Sequence, residues 1–118
     1  MEDKSKKKED REVISNMKTY HMEWWEARDK KITGLVIDRD GDKHWYLYGI
    51  LHREDGPACE YENGDKCWFL KGKRHREDGP AIEWADGSKA WYLNGNKLTE
   101  REWKIRMRKK KIGKLLEC

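Results

Sequence analysis

The chain has 118 residues, 42% of them charged and 36% apolar, with a net charge of +4. That length bounds it to one domain with a modest core. So high a charged fraction alone would suit a disordered chain, but seven Trp, five Tyr and one Phe supply large packing surfaces and exclude that reading.

Charge is distributed unevenly along the chain. Residues 1–31 are almost neutral, residues 32–96 carry −3, and residues 97–118 carry +6. The run from Lys4 to Asp10 reads as a solvated charge cluster. Over 8–31, Val13, Met17, Tyr20 and Trp24 recur at spacings of four, three and four, which predicts a helix with one apolar stripe. Residues 1–32 are therefore expected to form a charged N-terminal segment and helix.

Over 33–98 a 23-residue unit is written. Gly41, Gly64 and Gly87 keep that spacing, as do Trp45, Trp68 and Trp91, and Gly49, Gly72 and Gly95. Such a period predicts stacked units that bury apolar surface only against neighbours. Asp40-Gly41, Asn63-Gly64 and Asp86-Gly87 predict two-residue type I′ turns, with Gly49 and Gly72 ending strands. In that register Cys59 pairs with Trp68, Ile82 with Trp91 and Val36 with Trp45. The indoles then share one face with Leu47, Leu70 and Leu93, while Tyr46, Phe69 and Tyr92 lie on the other with Ala58 and Ala81. Tyr61 and Trp84 fall opposite Lys66 and Lys89, suggesting cation–π ladders.

The third unit decays after Lys97. Thr99 and Glu102 form a capping box, which predicts a basic C-terminal helix over 99–118. Ile105, Ile112 and Leu116 lie on one stripe of it, and Trp103 with Met107 on another. The fold class expected is α+β: three consecutive hairpins in a twisted antiparallel sheet, flanked by an N-terminal and a C-terminal helix.

His52-Arg53-Glu54-Asp55-Gly56-Pro57-Ala58 returns unchanged as His75-Arg76-Glu77-Asp78-Gly79-Pro80-Ala81. His52, Asp55, His75 and Asp78 have the donor types of a metal or general-base site. Identical recurrence points instead to structure: Asp capping the Gly-Pro turn, His packing or donating to a backbone carbonyl. Glu60 and Glu83 read as cross-strand partners of basic neighbours rather than as a catalytic pair. Gly-rich phosphate loops, nucleophile elbows and zinc signatures do not occur. No enzyme, cofactor or metal is expected.

Cys59, Cys67 and Cys118 lack zinc spacing and behave as small hydrophobes, which suits a reducing cytosol and a cytoplasmic location. No apolar run approaches the roughly 20 residues of a membrane span, so no integral membrane association is expected.

The period, the Gly-x-x-x-Trp-[Tyr/Phe]-Leu-x-Gly core and the Asp-Gly-Pro-Ala connection resemble MORN-type repeats over residues 33–96. The resemblance is closest to the variant with His-Arg-Glu-Asp-Gly-Pro-Ala, found in uncharacterised phage, giant-virus and bacterial proteins. It implies an interaction surface without catalytic residues. It also implies a phage or viral accessory protein that binds and inhibits a host protein or nucleoprotein complex.

Positions that vary between units are the candidates for specificity. Tyr48, Lys71, Lys73, Arg74, Arg76 and Lys97 are expected on one edge of the stack. Lys104, Arg108, Lys109, Lys110, Lys111 and Lys114, with Arg106, make seven bases without an acid, suited to an anionic partner. Direct nucleic-acid binding through this helix is the alternative function. An open sheet edge also suits a homodimer.

Overall fold

A computed structural model describes residues 18–117. It is an α+β molecule with a mixed sheet and a C-terminal helix. Strand β1 (Lys18–His21) runs parallel to β2 (Gly34–Ile37), and the helix α1 (Trp24–Asp29) crosses between them. The chain thus departs from the helix expected over 8–31. Thr19 and Tyr20 suit an extended backbone, and the open side of β2 satisfies their peptide groups. Tyr20 lies opposite Val36 rather than on a helical stripe with Trp24. Val13 and Met17 lie outside the described residues. The sheet is consequently mixed, not wholly antiparallel.

From β2 the strands run antiparallel. They are β3 (Lys43–Leu47), β4 (Ile50–Leu51), β5 (Cys59–Glu60), β6 (Lys66–Cys67), β7 (Phe69–Leu70), β8 (Lys73–Arg74), β9 (Ile82–Glu83), β10 (Lys89–Leu93) and β11 (Asn96–Leu98). The main order is β1-β2-β3-β5-β6-β9-β10-β11, with β4 on β3 and a separate β7–β8 pair. Helix α2 (Glu100–Glu117) closes the chain. Glu102 accepts the Thr99 N–H at 2.9 Å and Thr99 Oγ1 accepts the Glu102 N–H at 3.1 Å, the expected capping box.

The two kinds of turn exchange the roles read from sequence. At the Asp-Gly turns only the glycine is left-handed (Gly41 φ 85°, Gly64 φ 102°, Gly87 φ 92°). The Gly41 N–H reaches Asp38 O at 3.1 Å and the Asp38 N–H reaches Asp42 O at 3.1 Å. This is a three-residue loop, a type I turn followed by a glycine bulge. The type I′ pairs are instead Tyr48-Gly49, Lys71-Gly72 and Asn94-Gly95, where both residues have positive φ.

The extra loop residue slips the register by one. Cys59 pairs with Cys67, Ile82 with Ala90 and Val36 with His44. Trp45 donates its N–H to Ala58 O at 2.8 Å, and Trp68 to Ala81 O at 2.7 Å. Trp45, Trp68 and Trp91 therefore share their face with Ala58 and Ala81. Cys59, Cys67, Ile82 and Ala90 take the opposite face with Tyr46 and Tyr92. Tyr61 now stands opposite Asp65, and Trp84 opposite Ser88, so neither faces a lysine.

The two helices cover opposite faces at opposite ends of the sheet. Ala27 of α1 packs with Val36 and Tyr46, surrounded by Tyr20, Met22, Ile32 and Leu51. Trp103 of α2 is buried against Trp91, with ring centroids 4.7 Å apart. The Trp103–Met107 stripe faces the sheet, and Ile105 and Ile112 point away. No helix among the described residues is long and apolar enough to cross a membrane.

Candidate functional site

The repeated His-Arg-Glu-Asp-Gly-Pro-Ala segment is wired internally. The Arg53 guanidinium lies over the Trp45 ring at 3.9 Å, and that of Arg76 over Trp68 at 3.8 Å. Arg76 donates to Asp78 Oδ1 at 2.8 Å, to Pro80 O at 3.1 Å and to Glu83 Oε2 at 2.6 Å. Arg53 repeats the contacts to Asp55 and Pro57 O at 3.1 Å, with Glu60 at 3.7 Å. The small Ala58 and Ala81 between the indoles leave room for these stacked planes. Each arginine thus joins the strand before its loop to the strand after it.

The histidines hold the turns. Buried His52 accepts the Lys71 N–H on Nδ1 at 2.8 Å, and His75 accepts the Asn94 N–H at 2.9 Å. These N–H groups belong to the left-handed residue of the next type I′ turn, which has no strand partner for them. In the first unit Thr33 Oγ1 accepts the Tyr48 N–H at 2.9 Å. An acceptor at Nδ1 requires the neutral ring with its proton on Nε2. That Nε2 of His75 faces Glu77 at 3.0 Å, and Lys110 of α2 reaches the same carboxylate at 2.6 Å. Lys110, and then His75, hold the Glu77 carboxyl below its ordinary range.

At the opposite end of the units Asp42 Oδ1 accepts the Glu62 N–H at 2.9 Å, and Asp65 Oδ1 accepts the Ala85 N–H at 2.7 Å. Both ends are therefore stapled by a side chain taking a peptide N–H about 20 residues away. The 23-residue offset of these acceptors is visible in sequence, but their targets depend on the register.

Two constellations with metal-ligand chemistry have other employment. His52 and His75 use Nδ1 on the turns, and Asp55 and Asp78 bind the arginines, so the four do not converge. Carboxylates of Asp38, Asp40 and Asp42 lie within 4.8 Å of one another. Asp38 Oδ1 there accepts the Asp40 and Asp42 N–H groups at 2.9 and 3.0 Å, and Asp42 holds Glu62. Burial pushes the Cys59 thiol up to about 12 and raises that of Cys67, so neither is a ready nucleophile.

The expected partner-binding residues fall into three groups. Tyr48 and Lys71 occupy exposed turn apices, and Lys73 follows on the same rim. Arg74 lies 5.6 Å from Phe69 and 5.5 Å from Tyr92, and Lys97 stands opposite Tyr92, all on the face away from α2. Along α2, Arg108, Lys109 and Lys111 are exposed and form no ion pair among the described residues. Arg76 does not belong to this surface, because stacking on Trp68 and its three acceptors fix it inside the fold. Lys104 pairs with Glu100 at 3.1 Å, and Lys110 is drawn towards Glu77. The side chain of Lys114 lies outside the described residues. The expected single basic edge is thus a rim with cations on two faces. Ile50, which occupies in the first unit the variable position of Lys73, is half exposed beside Tyr48, on the rim that the type I′ turn builds.

Compared with protein-family models, with curated proteins and with solved structures, the chain matches none.

Proposed function

We propose that this chain is a non-enzymatic interaction module, a MORN-like stack of hairpins that holds an acidic macromolecular partner. One observation carries the reading. The reactive residue types of the recurring motif are engaged in bonds within the fold, whereas the cations that vary between units stand exposed. Lys71, Lys73, Arg74 and Lys97 on the rim, with Arg108, Lys109 and Lys111 on α2, present a positive surface beside Tyr48 and Ile50. The bonds repeating at a 23-residue offset support the hairpin-repeat reading. A host protein or nucleoprotein complex as the partner of a phage or viral accessory protein follows from the repeat resemblance alone.

The test is affinity capture from host lysate, with and without nuclease. The native chain is compared with a rim variant (Lys71→Glu, Lys73→Glu, Lys97→Glu) and a helix variant (Arg108→Glu, Lys109→Glu, Lys111→Glu). The module reading expects a protein that survives nuclease and is lost from at least one variant. Capture unchanged in both variants would sink it.

Direct nucleic-acid binding is the second reading, favoured by the cations of α2 that lack an ion pair among the described residues. Affinity for DNA or RNA should then fall steeply with salt, with a log–log slope of about −0.9 for each phosphate neutralised on duplex DNA. A weak signal indifferent to salt removes this reading.

A further inference from the structure

Helix α2 presents its basic residues around an apolar line that the sheet does not use. Trp103, Met107 and Lys110 face the sheet: Trp103 packs against Trp91 with the rings tilted by 49°, its Nε1–H donates to Arg76 O at 2.9 Å, and Lys110 bonds Glu77. Helical geometry then turns Arg101, Ile105, Arg108 and Ile112 to the opposite side, at spacings of four, three and four. Ile105 and Ile112 are 42% and 50% exposed, and Arg101, Lys104, Ile105 and Arg108 line one shallow groove. Lys104 and Lys111 flank the line seven residues apart.

Four-three spacing is the seam of a helix pair, in which side chains of one helix enter gaps in the other. Here one seam position is isoleucine and the other arginine, flanked by lysine. A second copy would set arginine and lysine against their like, so the seam disfavours self-association. An acidic helix has the complementary charge. Its apolar side chains would cover Ile105 and Ile112, and its carboxylates would meet Arg101, Lys104, Arg108 and Lys111. Phosphates alone would leave the isoleucines without a use.

Resting on the module reading above, we propose that the outer face of α2 docks an acidic amphipathic helix of a partner protein. The probe is a synthetic peptide of about three heptads with a leucine seam flanked by glutamate. Its control is a peptide of the same composition with the seam scrambled. Duplex DNA and vesicles of phosphatidylserine and phosphatidylcholine are titrated in parallel. Ile105→Ser with Ile112→Ser should weaken the seam peptide about tenfold or more. The triple variant Lys104→Glu, Arg108→Glu, Lys111→Glu should lose it and gain a lysine-flanked peptide. Ile105 and Ile112 point away from the sheet, and the triple variant breaks only the exposed Lys104–Glu100 pair, so thermal unfolding changed by no more than one exposed ion pair is worth serves as the folding control.

Equal binding of seam and scrambled peptides would overturn the proposal. So would indifference to the two isoleucines, or tighter binding of DNA or vesicles through the same residues. Failure of the seam with lysate capture still dependent on the rim would leave the module reading standing. Loss of both dependences would remove the two together.

Discussion

Trp103 lies on Trp91, ring centroids 4.7 Å apart, in the place that Arg53 takes over Trp45 and Arg76 over Trp68. The last indole of the row has no further loop to cover it, so the helix supplies a ring instead. The Trp103 Nε1–H also closes on Arg76 O at 2.9 Å, tying the cap to the preceding unit. Trp103→Ala should cost about 3–5 kcal/mol in urea unfolding. Trp103→Phe, which keeps a ring against Trp91 and loses the hydrogen bond, should cost about 0.5–1.5 kcal/mol. Equal costs for the two would show that ring packing is not what seats the helix.

Arginine over tryptophan is not interchangeable with lysine here. Arg76 needs a flat group against Trp68 and several donors for Asp78, Pro80 O and Glu83. Lysine keeps the charge and loses both the plane and the fork. Arg76→Lys should destabilise by about 1–3 kcal/mol in chemical denaturation. Arg39→Lys is the comparison, since Arg39 is 80% exposed beside Glu23, and it should change stability by less than about 1 kcal/mol.

His75 can be tested by shape. Asparagine Oδ1 hangs from the same carbon as histidine Nδ1, so His75→Asn retains an acceptor for the Asn94 N–H. His75→Leu leaves that peptide group unsatisfied and should cost about 1–3 kcal/mol. Recovery of at least half the loss in His75→Asn is the expected outcome. No recovery would mean that ring packing or the Glu77 contact matters more than the turn.

Acid should weaken the fold through His44. Burial holds its imidazole below the ordinary value of 6.5, against the pull of Asp38 and Asp42. The unfolded chain therefore takes up the proton first. Stability is full above about pH 6.5 and falls as pH drops towards the folded-state value. His44 touches Tyr46 and Tyr61 with its ring, so His44→Phe keeps the contacts and removes the charge. Unfolding free energy measured from pH 7.5 to pH 5 should slope less in the variant. An unchanged slope would assign the effect to other groups.

The spacing of glycines, tryptophans and the seven-residue motif made strand-and-turn units over 33–98 legible, as did the capped helix after Thr99. What they left open was one residue of loop length. Asn63-Gly64 admits both a two-residue type I′ turn and a three-residue turn with a glycine bulge, and only the second sets Ala58 rather than Cys59 opposite Trp68. The N-terminal strand was hidden for a related reason. Tyr20 and Trp24 fit a helical stripe, and the parallel pairing of Lys18–His21 arises only once β2 offers its edge.

The candidate surface divides the same way. Local sequence determined which residues are basic, which vary between units and where the helix begins, because charge and capping act within a few residues. Tertiary structure alone decided which cations are used up inside the fold. Arg76 is bound to Trp68 and Lys110 to Glu77, while Arg108 and Lys111 stay outside. That choice depends on how a helix is rotated against a sheet, which one buried indole fixes and no periodicity along the chain records.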